Sequence, residues 1–422
     1  MSRPRLGVIG AGPDQVPLIE CALRLGCDVV TIDASAARIG HLLSTSPPII
    51  VDLADPDTVF TEISNHALDG LVSMGSEIGL QALTYCTARL GLPNGIPALA
   101  LNTSRDKRLQ REILDKLKAP LLQRIYRERN ARGVPVEVDH WGCRKVVVKP
   151  IDRWGSLGTT IVIVRDERID RRDAIFDEAY NSAFSCSDSP HIIVEEFAHG
   201  QEFGINARIS SGRVQSIAAN RRIVETGDWR PIGCFPMYFK KSSEEPSDIP
   251  AWLVRLTGII TSIITELAVD WSGIFNADVI VSDGVPYMLE FSFRGGGFGT
   301  TLLYDLFFDA GQTEALINDA FYNSKFSDYI HRNAMISRDV PDPRLRPISL
   351  SLSSRAVAGL LASLPRRRLE TSSLAIRDVY LQNSADHGEI EHVRLKRRSR
   401  GAGLAIVEVG SHVPYDQLLS LF

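Results

Sequence analysis

The sequence predicts an α/β unit followed by α+β lobes, and three stretches predict it. Leu6 to Gly12, LGVIGAG, is a short buried strand running into glycines; a helical segment to Leu25 and a second strand at Asp28 to Asp33 complete a βαβ opening. From residue 145 onward, apolar strand-like runs outnumber helical ones, the pattern of an antiparallel α+β region. Near residue 280 the turn Ser282-Asp283-Gly284 separates two apolar runs and reads as a hairpin.

The elements follow in order. Strands at Ile49 to Asp52 and Gly70 to Ser73 extend the first unit into a small doubly wound domain over residues 1–103. Thr103 and Asp106 have capping-box spacing, and Leu109, Ile113, Leu114 and Leu117 recur at helical intervals, so a helix is expected from Ser104. Strands are expected at 145–150, 159–165, 190–197, 201–209 and 213–219, with a helix around 167–184. Leu253, Leu256, Ile260, Ile263 and Leu267 mark one face of a long helix, which precedes strands at 273–281 and 285–292. A helical stretch to Asn323 closes a central domain over 104–340, whose smaller lobe spans about 120–197. Val340 to Pro347 reads as a linker, and a last, mostly strand-like domain fills 341–422.

Composition narrows the function classes. The chain has 422 residues, 44% hydrophobic and 23% charged, enough to bury a large core, and its net charge of −4 gives no general attraction to nucleic acid or an anionic membrane. No apolar run reaches the roughly 18 to 20 residues of a membrane span, and the N-terminus reads as a strand, not a leader, so a cytoplasmic protein is expected. Six cysteines without C-x-x-C or metal-finger spacing read as reduced and mostly buried. Small-molecule partners remain; a homodimer is an open arrangement. The clusters Arg366-Arg367-Arg368 and Lys396-Arg397-Arg398 read as solvated surface, with a phosphate or acidic-partner site as the alternative.

Gly10-Ala11-Gly12, with Asp33 ending the next strand, invites a nicotinamide-cofactor reading. The fingerprint's third glycine falls at Gln15, and Pro13 and Asp14 follow the turn, which favours a structural or substrate-facing loop.

A nucleoside triphosphate needs cations on its phosphates, a cover against water, a slot for the base and carboxylates for magnesium. Lys107 lies near the helix start, and Lys149 ends the strand Val146-Val147-Val148. Pro150 to Gly158, PIDRWGSLG, is a flexible loop whose backbone N–H groups can cradle phosphates, with a plain tight turn as the alternative. It is not a Walker loop. The apolar strand His191 to Ala198 ends in Glu195 and Glu196, a platform for adenine, and Glu202 offers a carboxylate to ribose hydroxyls. Asp278 and Glu290 sit in the two strands of the hairpin, whose pairing brings them to one face. Buried acids in apolar strands are costly unless paired or metal-bound, so they point to Mg²⁺ or to an ion pair with Arg294. Glu77, Arg221 and Arg222 are candidate contacts for an amine or an acid, as is Gly296 in the run 295–297.

This ordered set resembles the ATP-grasp superfamily over essentially the whole chain, with a C-terminal appendage like that of amino-acid ligases. The resemblance implies an ATP-grasp fold: an N-terminal βαβ domain, two nucleotide-clasping lobes and a C-terminal domain. It also implies that Lys107 and Lys149 bind the α- and β-phosphates, that Gly155, Ser156 and Gly158 belong to the closing loop, and that Glu195, Ala198 and Glu202 take adenine and ribose. Asp278 and Glu290 match the family's metal carboxylates, for one or two Mg²⁺ (or Mn²⁺). Arg294 matches the arginine that holds the transferred phosphate or the acyl substrate. Where the family reads E-x-N-x-R, this chain has Glu290-Phe291-Ser292-Phe293-Arg294, so Ser292 replaces the asparagine. The implied activity is an ATP-dependent carboxylate–amine ligase working through an acyl phosphate, with Lys149 and Arg294 as catalytic residues and an amino acid as one substrate. A phosphorylated or bicarbonate substrate, or nucleotide binding without turnover, are the other readings.

Overall fold

The structure, a computed structural model, describes residues 3–164, 169–224, 231–243, 249–268, 270–297, 299–322, 324–334, 345–351, 374–381 and 403–410. The chain opens with β1 (Arg5–Ile9), α1 (Val16–Arg24), β2 (Asp28–Asp33), β3 (Ile49–Ile50), α2 (Pro56–Ser64), β4 (Gly70–Ser73) and α3 (Glu77–Leu90). The four strands form a parallel sheet in the order β3-β2-β1-β4. Parallel strands covered on both faces read as continuous apolar runs, as in the buried Leu6, Val8, Ile9, Val29, Val30 and Ile32. Gln15 takes the place of a third fingerprint glycine without loss of packing. Its Oε1 accepts from Gly12 N at 2.9 Å and its Nε2 donates to Met74 O, which ties the first loop to the end of β4.

The helix expected from Ser104 is α5 (Lys107–Lys116), which starts three residues later, and it is preceded by α4 (Ala98–Arg105), which was not expected. The hydroxyl of Thr103 donates back to Leu99 O at 2.8 Å instead of capping, and Asp106 adopts an extended conformation. The Asp106 carboxylate accepts from Arg108 N at 2.7 Å, satisfying a donor at the helix start. Lys107 is therefore the first residue of α5.

A second sheet contains β5 (Arg124–Glu128), β6 (Lys145–Pro150), β7 (Thr160–Ile163) and β8 (His191–Glu196), all antiparallel in the order β5-β8-β6-β7. Between β5 and β6 lies α6 (Val136–His140), and α7 (Ile169–Ser185) precedes β8. The strand alternation splits this sheet by chemistry. Val146, Val148, Ile192 and Val194 pack with Phe176, Ala179 and Ala183 of α7, whereas Lys149 and Glu195 project from the other face.

The third sheet is built from β9 (Gln201–Ser210), β10 (Arg213–Val224), β11 (Pro231–Lys241), β12 (Gly273–Ser282) and β13 (Val285–Ser292). Helix α8 (Ala251–Leu267) buries the predicted stripe of Leu253, Leu256, Ile260, Ile263 and Leu267 among Phe203, Ile205, Phe275, Ala277 and Val279. The alternate positions of the same strands, Gly204, Asn206, Asn276 and Asp278, make the opposite, polar face.

After β13 come α9 (Thr300–Phe308), α10 (Gln312–Ala320) and α11 (Ser327–Ala334). Leu316, Ile317, Ala320 and Ile330 from α10 and α11 return to pack with Leu18, Ile19 and Val72 of the first unit. Arg208 and Asp319 clamp this return with a bidentate pair of 2.6 and 2.7 Å. The final strands, β14 (Leu345–Ser351), β15 (Leu374–Leu381) and β16 (Gly403–Gly410), join the third sheet, whose order is β13-β12-β9-β10-β11-β14-β16-β15. Leu345 to Pro347 thus begin a strand, not a linker, because their backbone pairs with Glu408 to Gly410. Residues 340–344 and both basic clusters lie outside the described residues. No helix among the described residues is long and apolar enough to cross a membrane.

Asp305 joins α9 to α10 by accepting from Gln312 N at 2.6 Å and Thr313 N at 2.9 Å. Burial nevertheless pushes its carboxyl up to about 6. A folded pKa above the unfolded value means that the folded state holds the proton more tightly. The associated stability is full below about pH 4 and is lost as pH rises through about 6. Relative to Asp305→Asn, the wild-type chain should lose on the order of 2–3 kcal/mol between pH 4 and 7 in denaturant titrations. A pH-independent difference would remove this assignment.

Candidate active site

The polar faces of the second and third sheets supply the site, and α5 runs between them. In the second sheet Lys149 pairs with Ile193 and Val147 with Glu195, so Lys149 and Glu195 are diagonal neighbours on one face. Lys149 Nζ lies 2.7 Å from Glu195 Oε2. Arg111 grips the same carboxylate through Nε at 2.6 Å and Nη2 at 3.1 Å. Burial alone would raise the Glu195 carboxyl, but Arg111 and Lys149 outweigh it and hold the group well below the usual carboxylate range. Lys149 moves the other way. Burial lowers its ammonium pKa, and Arg111 and Lys107 add to that, against the pull of Glu195.

In the third sheet the hairpin register sets Asp278 directly opposite Glu290 and Asn276 opposite Ser292. The two acids thus share a face, yet neither pairs with Arg294. Asp278 Oδ1 accepts from Arg222 Nη2 at 2.8 Å, and Glu290 Oε2 lies 3.1 Å from Lys107 Nζ. Burial would raise the Glu290 carboxyl, but Lys107, Lys149 and Arg294 together lower it. Arg294 Nε donates to Glu77 Oε1 at 2.8 Å and its Nη1 to Gly295 O at 2.8 Å. Glu77 is 4% exposed, and its Oε2 has no hydrogen-bond partner. The other arginine of the pair, Arg221, is opposite Phe203 in the register and so belongs to the α8 face, away from Arg222.

Glu202 lies one strand position before Phe203 in β9, and burial together with Asp278 and Glu290 pushes its carboxyl up to about 7 despite Arg222. Ser292 is 4% exposed, and its Oγ has no hydrogen-bond partner. Among the described residues no group of three or more His, Cys, Asp or Glu side chains is placed to hold a metal ion. The loop after β6 turns through left-handed conformations at Gly155, Ser156 and Gly158, with φ of 62, 59 and 70°. It is anchored where Lys107 Nζ donates to Arg153 O and where Asp152 accepts from Ser187 Oγ at 2.6 Å. Ala198 follows β8 in the turn toward β9 and is half-buried.

Behind the hairpin, a β-carbon on Gly296 would come within 2.6 Å of Thr300 Oγ1 and 2.7 Å of Asn276 Nδ2, so only glycine fits there. Gly296 N donates to Asn206 Oδ1 at 3.2 Å, and Asn276 Nδ2 donates to the same oxygen at 3.0 Å. Asn206, Arg111, Gln110 and Asp14 carry no motif, and sequence reasoning missed them. Asp14 Oδ1 accepts from Gly299 N at 2.8 Å, and burial raises its carboxyl against the nearby Arg294 and Arg222. The one sequence signal for this was its position in the glycine loop after β1.

No protein-family model matches the sequence, and no curated protein sequence matches it. Solved structures do match its fold. Phosphoribosylglycinamide synthetase from Anaerococcus prevotii has a TM-score of 0.66 at 17% identity, covering 100% of this chain and 98% of that one. An L-amino acid ligase from Bacillus licheniformis gives 0.65 at 16%, covering 100% and 97%. N5-carboxyaminoimidazole synthetase from Staphylococcus aureus, solved with ADP, gives 0.66 at 13%, covering 99% and 96%. The chain therefore has the ATP-grasp fold, shared along its length with these ligases.

Proposed function

We propose that this protein is an ATP-dependent carboxylate–amine ligase. The observation that carries the reading is the meeting of Lys107, Lys149, Asp278, Glu290 and Arg294, drawn from three separate parts of the chain, between two sheets in an ATP-grasp fold. Lys149 and Lys107 would hold phosphates, and the loop with Gly155, Ser156 and Gly158 would cover them through its backbone N–H groups. The backbone from Glu195 to Ala198 would take the base and Glu202 the ribose. The carboxylate of Glu195 is already engaged by Arg111 and Lys149, so its part is electrostatic.

The residues present fit a divalent cation. Asp278 faces Glu290, the orphaned Ser292 Oγ lies in the same hairpin, and the raised Glu202 carboxyl reports crowded negative charge. Two protein carboxylates suit Mg²⁺, which keeps water and substrate phosphates as its other ligands. A bound cation would neutralise phosphoryl oxygens, with Asp278, Glu290 and Ser292 as its protein ligands.

The substrate carboxylate oxygen attacks the γ-phosphorus of ATP, the bond to the β-phosphate oxygen breaks, and ADP leaves an acyl phosphate. An amine nitrogen then attacks the acyl carbon, phosphate departs, and the nitrogen loses a proton to solvent. No enzyme nucleophile is needed. Lys149 and Arg294 would stabilise charge on the transferring group and hold it in line.

The test is ADP and phosphate release in a screen of amino acids, phosphorylated amines and bicarbonate, with products identified by mass spectrometry. ADP formation that depends on both an acid and an amine is expected, with an amino acid as one of them. Thermal protection by NAD and none by ATP with Mg²⁺ would sink the proposal.

A further inference from the structure

Helix α5 presents Lys107, Gln110 and Arg111 at i, i+3 and i+4, which places all three on one face. That face clasps β13 around Glu290. Gln110 accepts from Phe291 N at 3.1 Å and donates to Phe291 O at 3.0 Å, while Arg111 Nη2 donates to Leu289 O at 2.6 Å. Arg111 thus fixes the residue just before Glu290 and, with the same guanidinium, closes on Glu195 in the other sheet. Both partners are 2% exposed in their side chains, so solvent screens them little.

We infer that Arg111 is a positioning residue that cancels the charge of Glu195, so that the Arg111–Glu195–Lys149 cluster presents a net positive charge to the nucleotide phosphates. This rests on the nucleotide reading above. Glu195 is shared by two cations, and without Arg111 the buried carboxylate and Lys149 would form a neutral pair. An ammonium committed to a single buried carboxylate offers little to a phosphate. With Arg111 present the trio carries one net positive charge, and the carboxylate still orients the lysine from the side. A purely apolar platform would leave Lys149 without that orientation, and a lone glutamate would take its charge away.

Binding of ATP with Mg²⁺ is measured by calorimetry on the full chain, alongside the KM for ATP, kcat and thermal melting. Arg111→Met should weaken nucleotide binding on the order of tenfold to a hundredfold. The double variant Arg111→Met with Glu195→Gln restores the net charge and should return to within about threefold of wild type. Glu195→Gln alone leaves two buried cations without their shared carboxylate and should melt below the double variant. The loss should fall on the KM for ATP more than on kcat.

Full nucleotide affinity in Arg111→Met would overturn the inference. So would a double variant that melts normally but binds as weakly as the single one, because that pattern is structural support without a charge role. If Arg111→Met does not fold, the nucleotide affinity of the double variant decides against wild type alone. Failure of the wild-type chain to bind any nucleotide would instead sink the nucleotide reading, a result distinguishable from both.

Discussion

Glu290→Ala and Asp278→Ala should each reduce turnover by on the order of a hundredfold or more while leaving the fold intact. The two carboxylates face each other across the hairpin, so each removes half of the protein's charge toward a divalent cation. Their ion-pair partners differ, and this predicts different side effects. Glu290→Ala releases Lys107, whose Nζ still donates to Arg153 O. Asp278→Ala takes the carboxylate from Arg222, whose side chain is only 5% exposed, so it should also cost stability. Asp278→Asn keeps an acceptor for Arg222 and separates the effects. Full turnover in both alanine variants, in an ADP-release assay saturated with Mg²⁺, would remove the metal assignment.

Arg294→Met should abolish most turnover and also destabilise the chain by about 3–5 kcal/mol. Its guanidinium reaches from the end of β13 to Glu77 at the start of α3, more than two hundred residues away in sequence. Glu77 is 4% exposed and already has one oxygen without a partner, so losing Arg294 strands a buried charge. Adding Glu77→Gln should recover most of the stability but not the turnover. Denaturant titration and the ADP assay together check this. Recovery of both would make Arg294 a structural residue only.

Much of the architecture was legible because its signals are local. The strands at β6, β8, β12 and β13 and the helix α8 were read to within a residue or two, since alternation, a 3.6-residue stripe and an Asp-Gly turn are written in adjacent positions. The start of α5 was placed three residues early, and α4 was not foreseen, because Thr103 and Asp106 both look like caps and only backbone geometry chooses between them. Strand β5, with Arg and Glu at both ends, and β11, with two prolines and a glycine, carry weak strand signals. Their pairing partners, and not their own composition, make them strands.

The same division runs through the site. By itself the sequence marked Asp278 and Glu290 as acids in the two strands of one hairpin. A regular register counted from the turn would set Asp278 opposite Leu289; the bulge between Asp278 and Val279 shifts the pairing by one residue and makes the two acids partners. The sequence also marked Lys107, Lys149 and Arg294 as cations near strand or helix ends. Tertiary structure decided who neutralises whom: Lys107 with Glu290, Arg222 with Asp278, Arg294 with Glu77, and Arg111 and Lys149 around Glu195. Electrostatic pairing depends on distance and burial in three dimensions, and the partners come from different elements, most of them far apart in sequence. No local pattern encodes that choice.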